Sequence, residues 1–401
     1  MEVNSDSLKN ILTLRYNPSF EPVLPKQIWE NFQEKQSSNY VNTIENTIEN
    51  TFKKYEKLLR QKPVISLSSG IDSTLVLTLL RNLYPDIDID SISISFSESF
   101  DESPKAKKLA EHFQTNHHVI KIENFLENLP EAISIVGAPF WDLHWYEVAK
   151  SAKSLGNLLI SGDGGDELFG GYTFRYEKFN SLVSRNSTPF EKIKSYIDCH
   201  DRDWVSDQTN VFGTKSNFVW DDIFLHLKPY FDNPLEPLNQ VFLADFNGKL
   251  LYNMSPIYNK FHNHFDLDYL APILSDELIS FATHIPIQQK YDPTTNTGKL
   301  LLRQILKKYD VLDLTTTKKQ GFSINTVNLW KSYGQKLCNL FLIDGQIVKE
   351  GWINSDWITK HIHQKEPKPE IVNKFLGLLA FEIWFRIFIS KDMKRHEKLN
   401  V

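Results

Sequence analysis

Hydrophobic positions in the first half of the chain change period several times, and each change predicts an element. Val41, Ile44, Ile48, Phe52, Tyr55 and Leu59 recur every three or four residues, which predicts an amphipathic helix. Pro63-Val64-Ile65 is a short apolar run suited to a buried strand, and Thr74 to Leu80 is a second run long enough to open a helix. Ser91 to Phe96 alternates with period two. Ser103 to Phe113 is helical in spacing, with Ser103 as N-cap and Pro104 at the first helical position. His118 to Ile122 and Asn157 to Ser161 complete four predicted strands with helices between them. That alternation predicts an α/β fold with a doubly wound parallel sheet over about residues 60–175.

Beyond Tyr172 the strand signals fade, and residues 176–390 read as an added, mainly helical part of the same domain (41–390), followed by a polar tail, 391–401. Residues 1–40 carry Pro18, Pro22 and Pro25 and predict an arm of extended chain. Asp310 to Phe322, polar and threonine-rich, reads as a loop. Ile371 to Ser390 approaches membrane length, but Lys374, Glu382 and Arg386 interrupt it, so a core helix is expected and no membrane span.

Composition narrows the partners. Forty-five basic against 50 acidic residues give a formal charge of −5, too weak a field for nucleic acid, so a small-molecule substrate is expected. Two cysteines, Cys199 and Cys338, support neither a disulfide framework nor a zinc cluster and suit a reducing cytoplasm. The histidine pairs lack zinc-site spacing. Met1 to Asp6 has no basic or apolar leader, so export is not expected.

Two stretches carry chemistry. Ser66-Leu67-Ser68-Ser69-Gly70-Ile71-Asp72-Ser73 lies between a predicted strand and a predicted helix, where unpaired N–H groups and the helix dipole favour a phosphate. Walker A spacing is absent. Asp72 beside bound phosphates calls for a divalent cation between the charges. The fourth strand runs into Ser161 to Tyr172, which holds five glycines in twelve residues and brings backbone close to a ligand. If the two strands are neighbours, Asp72 and Asp166 share a magnesium ion.

With these residues in place, the chain resembles the synthetase domain of the asparagine synthetase family, a branch of the PP-loop ATP pyrophosphatases. Ser68-Ser69-Gly70-Ile71-Asp72-Ser73 is similar to that family's Ser-Gly-Gly-x-Asp-Ser signature, with Ser69 replacing a glycine. Phe100 to Ser103, Ser161 to Tyr172, Lys319-Gln320-Gly321-Phe322 and Leu378 to Arg386 match further motifs in order, from about Val41 to Phe388. The resemblance implies that a carboxylate attacks the α-phosphorus of ATP, releasing pyrophosphate, and that an amine then displaces AMP from the acyl-adenylate. It implies ATP and Mg2+ as cofactors, with Leu67, Ile94, Ser161 and Gly162 at adenine and ribose. Ser68, Gly70 and Ser73 would lie at the pyrophosphate, Asp72 and Asp166 at the metal, and Asp163, Gly164, Gly165 and Glu167 at the acid substrate. Lys319 is implied as the cation on the α-phosphate.

Two departures qualify this. No cysteine precedes Cys199, although the family's glutaminase nucleophile is an N-terminal cysteine; Leu12 to Tyr16 resembles only the end of that domain. Nitrogen is therefore expected from free ammonia, a separate glutaminase subunit or an amine on another substrate, and a homodimer stays open. The family's Glu-x-Arg-x-Pro-Phe-Leu-Asp appears as Asp268 to Ser275. Asp268 stands in for the catalytic glutamate, one methylene shorter, while Leu270 cannot replace an arginine. Lys299 and Arg303, four apart on a predicted helix, are candidates to compensate for that arginine, set against an ordinary exposed face, which is the favoured reading. Asparagine synthesis leads, with an amide or lactam ligase for another acid, or an inactive nucleotide-binding subunit, as alternatives.

Overall fold

A computed structural model describes residues 2–101, 103–316 and 324–400. Five parallel strands form one sheet in the order β3-β2-β1-β4-β5: β1 is Val64–Ser66, β2 Asp90–Phe96, β3 Asn116–Ile122, β4 Leu158–Ile160 and β5 Asp268–Leu270. The chain leaves β1 toward β2 and β3, then crosses back to β4, so the order reverses between β1 and β4. Right-handed crossovers place the helix Ile71–Leu83 and the helix Trp145–Leu155 on opposite faces. This is the doubly wound sheet, and its crevice opens at the carboxyl ends of β1 and β4.

The four predicted strands appear within a residue or two. The fifth, β5, comes from the helical half; at three residues it is too short to show a period, and pairing with β4 makes it a strand (Leu158 opposite Asp268, Ile160 opposite Leu270).

The N-terminal arm is corrected. Ser5–Leu14 is an α-helix, capped where the Asn4 side chain accepts from the Ser7 N–H (2.8 Å). Leu8, Ile11 and Leu12 are buried at helical spacing; the prolines stiffen only the segment beyond this helix. The expected core helix is Pro369–Phe388. Its interrupting charges are satisfied internally: Glu382 accepts from the Gln346 and Ile347 N–H groups at 3.0 Å each, and the Lys374 ammonium donates to the Leu12 and Asp203 carbonyls. Among the described residues no helix is long and apolar enough to cross a membrane. Both cysteines are buried and free.

Candidate active site

The strand-to-helix turn after β1 is wired before any ligand arrives. The Ser73 hydroxyl donates to the Ser68 carbonyl (3.0 Å) and accepts from the Ser68 N–H (3.2 Å), while the Ser68 hydroxyl accepts from the Gly70 N–H (3.1 Å). Ser93 on β2 holds the Leu67 carbonyl at 2.6 Å. The turn is thus fixed with the first N–H groups of the helix Ile71–Leu83 facing the crevice, where the dipole favours an anion.

The glycine-rich loop after β4 packs directly on this turn. A Cβ at Gly162 would stand 2.6 Å from the Ser73 nitrogen and 2.7 Å from the Asp72 carbonyl carbon, so only glycine lets the two backbones meet. Gly164, at φ +92°, turns the chain into the short helix Gly165–Phe169. Gly165 backs onto the Asp72 carboxyl group, and Glu167 accepts from the Tyr172 hydroxyl.

Between the loops lies a residue whose predicted setting is corrected. Lys299 is 8% exposed and precedes the helix Leu300–Lys308 in a left-handed conformation, φ +58°. Its ammonium is 2.5 Å from Asp72 Oδ2 and 2.7 Å from Asp166 Oδ1. Burial alone would lower its pKa, but the two carboxylates outweigh burial and raise it. Lys299 therefore stays protonated. The i to i+4 spacing with Arg303 concealed this, because the helix begins only after Lys299.

Asp72 and Asp166 thus converge on one cation-sized position. Among the described residues no group of three carboxylate, histidine or cysteine side chains is arranged to hold a metal, so the chain offers a hard-oxygen pair. That fits Mg2+, which takes one or two protein carboxylates together with phosphate oxygens and water.

Two cavities meet here. One of about 1020 Å³ is lined by Leu67, Ser68, Ser93, Ile94 and Phe96 and extends to Arg175 and His200. The other, about 1040 Å³, is lined by Ser68, Gly70, Asp72, Ser73, Ser161, Gly162, Asp163, Asp166 and Lys299. Its far wall carries Asp142, Trp145, Asn253 and Tyr258. Arg15, Ser68, Tyr172, Phe174 and Lys249 border both. Arg15 pairs with Asp142 and with Asp203 (3.3 Å), and Lys249 also pairs with Asp203. Burial would raise the Asp203 pKa, but these cations hold it well below the usual carboxylate range. The N-terminal helix therefore delivers Arg15 to the cavities, a role no motif in residues 1–40 announced.

Not every predicted residue joins the site. Asp268 is exposed at the start of β5, opposite Leu158 at the start of β4, and lines neither cavity. In a parallel sheet that end lies away from the loops, so its assignment as a base is corrected by register. Tyr269, unremarked in the sequence, places its hydroxyl on Asp163 and 2.6 Å from the Ser161 hydroxyl. Lys319 to Phe322 lie outside the described residues; next to them, Thr316 donates from its N–H to the Ser69 carbonyl at 2.8 Å.

A phosphate-ready turn, a carboxylate pair and a glycine-rich loop at the switch point of a parallel α/β sheet define a nucleotide-site architecture. The family model described as asparagine synthase matches residues 58–386, and the chain belongs to that family. It is 23% identical over 364 residues to asparagine synthetase (glutamine-hydrolyzing) 1 of Bacillus subtilis, covering 81% of this chain and 56% of that protein. It is 29% identical over 125 residues to asparagine synthetase (glutamine-hydrolyzing) of Gallus gallus, covering 27% of this chain and 21% of that protein. The chain thus spans about half the length of the Bacillus relative. Among solved structures, NMN synthetase from Francisella tularensis aligns with a TM-score of 0.25 at 16% identity, covering 59% of this chain and 98% of that one.

Proposed function

We propose that the chain is an ATP- and Mg2+-dependent, AMP- and pyrophosphate-forming amide ligase, with asparagine formation from aspartate as the leading activity. The observation that carries this reading is the convergence of Asp72 and Asp166 on one position beside the Ser68 to Ser73 turn. In this reading Leu67 and Ile94 contact the base, Ser161 and Gly162 the ribose, and Ser68, Gly70 and Ser73 receive the pyrophosphate. Asp72 and Asp166 hold the Mg2+, which when bound neutralises phosphate charge. Asp163, Gly164, Gly165 and Glu167 bound the acid. Lys319 is assigned to the charge that develops on the α-phosphate, and Lys299 holds the carboxylate pair in register. Such transfers depend on in-line positioning and on cations placed where charge develops. Ammonia arrives free or from a separate glutaminase, and the enzyme works in the cytoplasm, as a monomer or homodimer.

Leu270 in place of the family arginine, and the turned-away Asp268, favour a second reading in which the adenylated acid or the amine differs from aspartate and ammonia. The test is pyrophosphate release from ATP with a panel of carboxylic acids plus ammonia. Aspartate-dependent release supports the leading reading, and release only with other acids supports the second. ATP binding without release for any acid overturns both.

A further inference from the structure

Where the two cavities meet, the wall carries more positive than negative charge. Arg15, Arg175, Arg202 and Lys249 line the first cavity together, and among the described residues only two carboxylates, Asp201 and Asp203, line it with them. Asp201 is paired with Lys178 at 3.0 Å. Asp203 is therefore shared between Arg15 and Lys249, with Asp142 of the second cavity as the other partner of Arg15. Arg175 is held separately, by Asp245 at 3.2 Å and over the Tyr172 ring at 3.7 Å. In the proposed reading the phosphates lie at the Ser68 to Ser73 turn, so these cations have no assigned anion.

One of them is put there by a strained residue. Arg15 ends the helix Ser5–Leu14 at φ +59° and ψ +31°, a left-handed position that ordinarily favours glycine or asparagine. It is clamped on every side. Its N–H donates to the Ile11 carbonyl at 3.1 Å, its carbonyl accepts from Asn253 Nδ2 at 2.6 Å, and its guanidinium lies over the Trp141 ring at 4.9 Å. Its buried Nε has no hydrogen-bond partner among the described residues, which leaves a donor unsatisfied at the cavity wall. Strain of this kind persists where the surroundings impose it, and it clusters at ligand sites. The electrostatics agree. Burial lowers the Lys249 pKa, Asp203 opposes this, and Arg15 and Arg175 lower it further. His200, whose Nε2 accepts from Arg175 at 2.7 Å, is kept neutral by burial and by the Arg175 and Lys249 charges. A bound anion would offset this crowding of positive charge.

We propose that Arg15, Lys249 and Arg175 form a carboxylate subsite, which holds a non-reacting carboxylate of a substrate where the cavities meet. The inference rests on the ligase reading and narrows its substrates. Either the acid that is adenylated or the amine that displaces AMP carries a carboxylate besides its reacting group. Arg15 offers a planar fork of donors and Lys249 a compact ammonium on a flexible stem, a combination that suits a carboxylate reached from either cavity.

The test is isothermal titration calorimetry with Mg2+ and the α,β-methylene analogue of ATP, from which pyrophosphate cannot leave. Aspartate against β-alanine tests the acid, and glycine against methylamine tests the amine; the second member of each pair lacks one carboxylate. In at least one pair the carboxylate-bearing member should bind about 10- to 100-fold more tightly, the range for a hydrogen bond to a charged group, and that pair identifies the source. Lys249→Met should remove most of this ratio while leaving the affinities for β-alanine, methylamine and the nucleotide analogue unchanged. Arg15→Lys, which keeps the charge and loses the fork, should lower the ratio in part. Each variant leaves Asp203 with one cation, so the fold is retained, and melting curves check this. Equal affinity within both pairs, no binding of any probe, or a ratio that persists in folded Lys249→Met overturns the subsite. A loss confined to nucleotide affinity also overturns it, because the cations would then serve phosphate. Absence of ATP–pyrophosphate exchange with every acid is a separate result: it overturns the ligase reading, while the calorimetry still decides the subsite.

Discussion

Replacing Lys299 by methionine removes one positive charge from between two carboxylates while keeping a side chain of similar length. Lys299, Asp72 and Asp166 have side chains 10%, 19% and 20% exposed, so solvent screens them only partly. Breaking a buried ion pair by deleting one partner costs about 3–5 kcal/mol, because the remaining charges lose compensation. At about 2.1 cal/mol/K of unfolding entropy per residue, the 401-residue chain loses roughly 1 °C of Tm per kcal/mol, so Lys299→Met should melt about 4–6 °C lower. The folded-state pKa of Lys299 is raised, so its contribution is fully present below the ordinary lysine value and is lost only as pH rises through the folded value. The deficit should therefore be the same at pH 7 and pH 8. Millimolar Mg2+ without nucleotide supplies charge at the same position and should raise the Tm of the variant more than that of the unmodified protein. Calorimetry checks both expectations. A Tm within about 1 °C of the unmodified protein, or equal Mg2+ shifts for the two proteins, would refute the placement of this cation.

Other contacts lead to further outcomes. Gly162→Ala drives a methyl group into the Ser73 and Asp72 backbone and should cost about 1–3 kcal/mol in a melting experiment, with loss of pyrophosphate exchange. Asp203→Asn should destabilise the protein at pH 7, because the native carboxylate is held by Lys249 and Arg15. Its folded pKa is depressed, so that stability is present above about pH 4 and lost below it, and the two melting curves should converge in acid. Asp268→Asn should leave amide formation unchanged, since the side chain is exposed at the far end of β5; a loss of 100-fold or more, on the order expected for a general base, would return it to the site.

The sheet was legible because β1 to β4 are bounded by turns and separated by helices, so period and order sufficed. Asp72 and Asp166 were legible for a similar reason: each lies in a turn whose composition suits ligand approach, and adjacency of β1 and β4 joins them. β5 was not, because three residues carry no period and only the β4 edge makes them a strand. That error carried over to Asp268, whose motif position says nothing about which end of a strand it occupies, and it hid Tyr269 one residue later. Lys299 was misread because a left-handed residue before a helix shares the spacing of a helical face. Arg15 was invisible for another reason: its partners Asp142 and Asp203 are 127 and 188 residues away, and no local pattern encodes such pairing.

In the proposed reaction a carboxylate oxygen of the acid attacks the α-phosphorus of ATP. The acid that supports pyrophosphate release, labelled with oxygen-18 in that carboxylate, tests it directly when incubated with the protein, ATP, Mg2+ and ammonia, with the nucleotide product analysed by mass spectrometry. AMP carrying one labelled oxygen, at one equivalent per amide formed, is the expected product. Unlabelled AMP, or ADP as the nucleotide product, would contradict it.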